Sequence, residues 1–270
     1  MRIFIPTYGR SDRQITWDNL PHTAKFVTHL VVQAREEHKY DRAYYPLIEL
    51  PPEIQDIGKT RQWLIDHTND YMIMLDDDLD FAVRRKDEPT KFRPATDEDV
   101  HNMLDEILVS LRSGHPMVGV SAREGANYDT NEFKLASRQL RVHGIDPMKF
   151  RMFGVRFDRL PFMEDFDATL QLLELGYANR VLNNWVHNQR GGSNAPGGCS
   201  ESRTLEKHNE AAQDLKQLHP KFVRVVMKES GNWGGTRLDV NIAWKKAYEY
   251  GKSKRITSVL DSGKGENTTS

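Results

Sequence analysis

The stretch Tyr71-Met72-Ile73-Met74-Leu75-Asp76-Asp77-Asp78-Leu79-Asp80-Phe81 joins two demands that conflict. Tyr71 to Leu75 are all apolar or aromatic, the pattern of a strand buried on both faces in a sheet covered by helices. Three consecutive carboxylates then follow. Like charges this close raise one another's pKa, so stability alone does not explain them. A divalent cation such as Mg²⁺ or Mn²⁺ would remove the conflict, because hard carboxylate oxygens suit it and its charge inverts the local electrostatics. In open α/β sheets ligands sit outside the carboxyl ends of strands, which is where these aspartates fall. The alternative is a solvated acidic turn after a core strand.

Outward from this strand the chain alternates between strand and helix patterns. Upstream, residues 2–5 read as a first strand closed by Pro6-Thr7-Tyr8-Gly9-Arg10, and Ser11 or Asp12 is placed to cap a short helix through Leu20. Residues 26–33 and 47–50 read as strands, and 57–67 as a helix with Gly58-Lys59-Thr60-Arg61-Gln62 near its start. Downstream, Val100, Met103, Leu104, Ile107, Leu108 and Leu111 recur at helical spacing behind Thr96 or Asp97. Residues 117–121 form another buried strand, Glu164 and Asp165 open a helix stopped by Gly176, and 177–186 suggest a last strand with His187 just beyond it. This alternation predicts an α/β fold, a mostly parallel sheet flanked by helices. Residues 191–198 form a glycine-rich loop able to close over a phosphate or sugar. A helix over 205–218, strands over 222–227 and 239–244, and a disordered polar tail over 252–270 complete the expectation.

The 270 residues suffice for one large α/β domain or a domain with an added lobe. With 38% hydrophobic and 29% charged residues the composition is that of a globular protein with a polar surface. A net charge of -1 leaves no global field to attract nucleic acid or membranes, so such a surface has to be local. The single cysteine, Cys199, excludes an intrachain disulfide and a cysteine-based zinc site and suits a reducing compartment. Neither a signal peptide nor a membrane span is visible, and a cytoplasmic location is expected. Between Lys134 and Leu160 seven basic residues (Lys134, Arg138, Arg141, Lys149, Arg151, Arg156, Arg159) meet two acids, Asp146 and Asp158, with Phe133, Phe150, Phe153 and Phe157 among or beside them. Arginine with aromatics can grip a phosphate backbone and stack bases; the alternative is a solvated face whose phenylalanines belong to the core. Gly58-Lys59-Thr60 is not a phosphate-binding P-loop, because Glu53 stands where that motif needs glycine.

What remains is an ordered set: the turn Pro6-Thr7-Tyr8-Gly9-Arg10, the basic helix start at Gly58 to Arg61, Asp76 and Asp78 as an Asp-x-Asp, the acidic pair Glu164-Asp165, and His187. In this order the set resembles the GT-A fold of nucleotide-sugar glycosyltransferases, over roughly residues 1–190. Within that fold residues 2–10, 58–61 and 75–79 are most similar to the bacteriophage TET-associated glycosyltransferases, a group associated with adding sugars to 5-hydroxymethylpyrimidines in viral DNA.

The resemblance implies a catalytic domain over 1–190, an extension over 191–251 packed on it, and the tail beyond. It implies that Asp78, with Asp76 and His187, binds Mn²⁺ or Mg²⁺, which offsets charge on a leaving nucleoside diphosphate. Thr7, Tyr8, Arg10, Lys59, Arg61, Asp76 and Asp77 would contact the nucleotide-sugar, a UDP-sugar. Asp165, beside Glu164, would be the general base of an inverting transfer; in a retaining enzyme it would hold the acceptor or donor sugar. Arg138, Arg141, Lys149 and Arg151 would face a double-stranded DNA acceptor carrying a modified cytosine. Rival readings are the same chemistry on a carbohydrate, lipid or protein acceptor, a nucleotidyltransferase, and a non-catalytic binding domain.

Overall fold

The computed structural model describes residues 1–190, 197, 198, 203–231 and 233–262. In chain order its first half comprises β1 (Arg2–Thr7), α1 (Ile15–Asp18), α2 (His22–Lys25), β2 (Thr28–Gln33), β3 (Leu47–Leu50), α3 (Ile57–His67), β4 (Met72–Leu75), β5 (Leu79–Arg84), β6 (Phe92–Pro94) and α4 (Asp97–Arg112). The second half adds β7 (Met117–Ala122), β8 (Phe133–Leu135), β9 (Val142–Ile145), α5 (Pro147–Phe153), α6 (Glu164–Glu174), β10 (Arg180–Gln189), α7 (Leu205–Leu218), β11 (Val223–Glu229), β12 (Thr236–Ile242) and α8 (Trp244–Ser262).

The unbroken apolar run of β4 is explained by burial on both sides. Ile73 and Leu75 pack with Trp17 of α1 and with Leu104 and Ile107 of α4. Met72 and Met74 pack on the opposite face with Leu64 and Ile65 of α3, Phe150 of α5 and Leu172 of α6. Each such side chain contributes roughly 1.5–3 kcal/mol by leaving water, which fixes which faces of these helices turn inward. The start of α4 is a capping box, in which Thr96 accepts from the Asp99 N–H and the Asp99 carboxylate accepts from the Thr96 N–H.

Among the described residues ten strands form one mixed sheet in the order β3-β2-β1-β4-β9-β7-β10-β5-β6, with β8 paired to β10. The pairs β1–β2, β2–β3, β1–β4 and β7–β10 are parallel, as expected. Four strands are unexpected, β5, β6, β8 and β9; the last is a short reversed strand inserted between β4 and β7, with Val142 opposite Leu75 and Ile145 opposite Met72. It lies inside the basic segment 134–160, where four apolar-flanked residues are too few to announce a strand. Two of that segment's phenylalanines, Phe150 and Phe157, are fully buried in the core.

Three expectations are corrected. The first helix is two short pieces, α1 and α2, with Gln14 rather than Ser11 or Asp12 at the N-cap of α1. The last sheet strand, β10, extends to Gln189, so His187 lies within the ladder, opposite Phe81 and Ala122, and not beyond its end. The tail expected from residue 252 is helical to Ser262, because α8 is anchored along α6. Leu170 and Leu173 of α6 share a third core with Leu215, Val223, Val240 and Ala247. Gly251 lets the two helices touch: a Cβ there would stand 2.2 Å from the Leu173 carbonyl oxygen. Residues 191–196 of the glycine-rich loop and the tail 263–270 lie outside the described residues. Among the described residues no helix is long and apolar enough to cross a membrane.

Candidate active site

At the carboxyl end of β4 the three aspartates meet different partners. Asp77 is buried; the Arg10 guanidinium pairs with one of its oxygens and the Thr7 hydroxyl donates to the other at 2.7 Å. Gln14 locks this group by donating to Thr7 Oγ1 at 3.0 Å and to the Arg10 carbonyl at 2.8 Å. Burial pushes the Asp77 carboxyl up to about 6, against the opposing pull of Arg10 and Thr7. Thr7, Arg10 and Asp77 thus brace one another in the interior, while Tyr8 beside them is partly exposed, with Arg35 4.8 Å over its ring. The described end of the glycine-rich loop docks here: the Gly198 N–H donates to the Tyr8 carbonyl at 2.8 Å, and Arg10 Nη2 to the Gly197 carbonyl at 3.3 Å.

Asp78 turns one oxygen to Arg10 Nη1 at 2.9 Å and Gln189 Nε2 at 3.0 Å. Its other oxygen, Oδ1, is buried with no hydrogen bond among the described residues. A buried acceptor left unmet costs about 1–3 kcal/mol, a cost that a bound cation would remove. Asp76 is partly exposed and accepts from Arg61 Nη2 at 2.9 Å.

Arg61 is the centre of the arrangement. It lies on α3, whose N-terminus is capped by Asp56 accepting from the Lys59 N–H, and Gly58 brings that end close to the Phe157 carbonyl. Its guanidinium, 5% exposed, spans from Asp76 to the buried Glu164 on α6, whose Oε1 pairs with Nη1. Lys59 points elsewhere: it is exposed and pairs with Asp56 at 3.2 Å.

The chain enters α6 through Met163 in the left-handed region (φ 62°). Asp165 next to it is partly exposed and accepts from the Phe166 N–H at 2.9 Å. Burial raises both carboxyls, Glu164 up to about 7, while Arg61 pulls both down and Arg138 pulls on Asp165. The Arg138 guanidinium lies 5.0 Å over the Phe166 ring. Arg141, also in the left-handed region (φ 59°), accepts at its carbonyl from the Asp76 N–H at 3.0 Å, and its charge favours ionised Asp76. The result is a half-open cluster in which Asp76, Glu164 and Asp165 share Arg61, Arg138 and Arg141. Carboxylates of that kind, one partly exposed and held at a helix N-terminus, can take a proton from an approaching hydroxyl.

The profile of the TET-Associated Glycosyltransferase family matches residues 1–198, the part of the chain that builds this cluster. The chain belongs to that family. It is 24% identical over 241 residues to the beta-glucosyl-HMC-alpha-glucosyl-transferase of Enterobacteria phage T6, covering 83% of either protein, and equally so to that of phage T2. Among solved structures it is similar to S. aureus TarS 1-349, at a TM-score of 0.46 and 13% identity over 82% of this chain and 66% of that one, and to the same protein in complex with UDP-GlcNAc, at 0.47 and 11%.

In this glycosyltransferase the remaining expected site residues divide. A divalent cation fits Asp78 Oδ1 and the second Asp76 oxygen, because Mg²⁺ commonly takes one or two carboxylates and fills its shell with water and phosphate. Among the described residues no three His, Cys, Asp or Glu side chains form a metal-binding group, and both ring nitrogens of His187 are buried without a hydrogen-bond partner there. Its ring is fully buried within the β5–β10–β7 ladder, and burial, followed by the Arg141 charge, lowers its pKa to about 3. Arg138 lies close enough to act on the Asp165 charge and Arg141 on that of Asp76. Lys149 and Arg151 do not. Because β9 runs against β4, α5 falls at the opposite end of the strands, near the starts of β4 and β7, where Arg151 donates to the Thr68 carbonyl at 2.8 Å and Lys149 to the Gly114 carbonyl at 2.9 Å. Sequence reading missed His143 and Gln189. His143, neutral and buried beside His187 and Arg61, sits on the unrecognised β9; Gln189 carries no local signal at all.

Proposed function

We propose that this glycosyltransferase moves a sugar from a UDP-linked donor to the hydroxyl of a modified cytosine in DNA, 5-hydroxymethylcytosine or a sugar already attached to it, and that it works in the cytoplasm of a phage host. The observation that carries the reading is the Arg61 bridge between Asp76 and Glu164, which fastens the end of β4 to the start of α6 and sets Asp165 beside it. The acceptor class is supported by the T6 and T2 relatives, whose names specify a glucosylated HMC acceptor.

Asp76 and Asp78 would hold Mg²⁺ or Mn²⁺, which when bound supplies neutralisation of the charge gathering on the departing diphosphate. Everything else falls to the chain's own residues. Asp165 accepts the hydroxyl proton as the acceptor oxygen bonds to the anomeric carbon and the bond from that carbon to the diphosphate oxygen breaks. Arg61 keeps Glu164 and Asp76 fixed and, with Arg138, favours the ionised, proton-accepting form of Asp165, as Arg141 favours ionised Asp76. Attack from the face opposite the diphosphate gives inversion.

A second reading follows from the relatives' names, which specify α-glucosyl transfer. UDP-glucose carries its sugar α-linked, so an α product would mean retention, with Asp165 orienting the acceptor. The test is incubation of hydroxymethylcytosine DNA, with and without prior β-glucosylation, with protein, Mn²⁺ and mixed UDP-sugars, followed by nucleoside mass spectrometry and NMR of the product anomer. A hexose or pentose increment is expected, and the anomer separates the two stereochemical readings. Metal-dependent UDP release without an increment would refute the DNA acceptor.

A further inference from the structure

The net charge of -1 hides a division. Residues 221–257, which include β11, β12 and most of α8, hold nine lysines and arginines against three acids, so the rest of the chain is net acidic by about as much as this part is basic. Many of the cations elsewhere pair with carboxylates, among them Arg10, Arg61, Arg93, Arg156 and Arg159. In the extension Lys228 and Arg237 pair with Asp239 and Arg255 lies over the Tyr177 ring, but six other cations are placed differently. Lys221, Arg224, Lys245, Lys246, Lys252 and Lys254 are all exposed, and none makes an ion pair with a carboxylate among the described residues. Lys221 and Lys254 even converge on one ring, each ammonium 4.5 Å from the Tyr250 centroid, with Lys221 donating to the phenol oxygen at 2.9 Å. Two like charges brought together without a carboxylate are poised for an anion.

The position of this surface matters as much as its charge. Trp244, the first residue of α8, meets Phe166 edge-on at 5.7 Å, and Phe166 adjoins Asp165. Gly251 touches Leu173 at the far end of α6, so α8 runs alongside α6 in the same direction. Lys245 and Lys246 therefore stand at the Asp165 end, and Lys252 and Lys254 about 10–15 Å farther along, a span of about three to four base pairs. The other flank of the extension is acidic: Glu206, Glu210 and Asp214 of α7 line a surface depression of about 780 Å³ against Leu238 of β12. A polyanion is thus admitted on one side and repelled on the other.

We infer that the exposed cations on and beside α8, Lys221, Lys245, Lys246, Lys252 and Lys254, form the surface where the phosphate backbone of duplex DNA docks to bring a modified base to Asp165. This rests on the DNA-acceptor reading above and deepens it. The contacts are to backbone, so docking is independent of sequence, donor and base modification. The same face replaces Lys149 and Arg151 as the source of backbone affinity.

The experiment is fluorescence anisotropy with an unmodified duplex over a series of salt concentrations, alongside transfer to hydroxymethylcytosine duplex. The proteins are wild type, the quadruple variant Lys245→Glu/Lys246→Glu/Lys252→Glu/Lys254→Glu, and the same four positions as Arg, each checked by thermal unfolding. Expected are a wild-type affinity that falls with salt by a log–log slope of about −0.9 per phosphate contact, a loss of at least about tenfold with a shallower slope in the Glu variant, and retention in the Arg variant. Equal affinity and slope in a folded Glu variant, with wild-type transfer to DNA, would overturn the docking surface and leave the function standing. Wild-type protein that binds anionic lipid vesicles but not duplex would overturn it as well. A wild type that neither binds duplex nor modifies it would overturn both readings together.

Discussion

Removal of the Arg61 guanidinium tests the reasoning most directly. In Arg61→Met the methionine fills part of the volume, but Glu164, whose side chain is 9% exposed, loses its partner, and Asp76 loses its 2.9 Å bond. Breaking a buried pair by deleting one member costs about 3–5 kcal/mol, because the surviving charge stays buried. At about 2–4 °C per kcal/mol for a chain near this size, the melting temperature should fall by about 6–20 °C. The loss should depend on pH in a defined direction. Glu164 is raised from 4.5 to about 7 in the folded protein, so its contribution is fully present below 4.5 and is lost as pH rises through about 7. Without Arg61 that pKa moves higher still, so the variant's deficit should be largest above neutrality and smaller in acid, where the proton neutralises the orphaned carboxyl. The assay is thermal unfolding by circular dichroism across that range, with Arg61→Met/Glu164→Gln as companion. The double variant should recover part of the loss, since the buried charge is gone. A single variant within about 1 kcal/mol of wild type, or a deficit unchanged between acid and alkaline conditions, would refute the bridge.

Four further outcomes are expected. Asp165→Asn should keep donor binding by calorimetry and lose transfer by about 10²–10⁴-fold; unchanged kinetics would remove the general base. Asp78→Asn should weaken Mn²⁺ binding and abolish turnover with an unaltered circular dichroism spectrum, and undiminished Mn²⁺ affinity would count against its ligand role. His219 is pulled down by burial but raised on balance by Asp167, at 2.7 Å, and Glu174. Its pairing therefore stabilises fully below its ordinary 6.5 and fades as pH rises through the raised value. His219→Gln should accordingly destabilise most in acid, and an equal loss at every pH would show packing alone. Gly251→Ala, whose new Cβ would overlap the Leu173 carbonyl and stand 2.4 Å from the Gly176 nitrogen, should cost about 1–3 kcal/mol of melting stability. An unshifted melting curve there would mean that α8 does not rest on α6 as described.

Much of the architecture was legible from local pattern. The run Met72 to Leu75 could only be a doubly covered strand, the spacing from Val100 to Leu111 only an amphipathic helix, and the limits of α3 and α7 agree with their capping residues Asp56 and Thr204. These signals depend on neighbours within a turn or two, where periodicity and capping act. The acids at the end of β4 and at the start of α6 were visible for the same reason. The strand β9 was not, because four residues carry too little periodicity, and its reversed direction moved Lys149 and Arg151 to the other end of the strands.

The sequence by itself determined the fold class, the acidic strand end and the acidic helix start, since each is written in contiguous residues. Only the tertiary structure decided how they are used. It gave Asp77 to Arg10 and Thr7, buried His187 within the ladder, and placed one guanidinium between carboxylates 15 and 103 positions away. It also laid the basic extension along α6. Such pairings are chosen by the burial and charge balance of the whole core, which no short window of sequence contains.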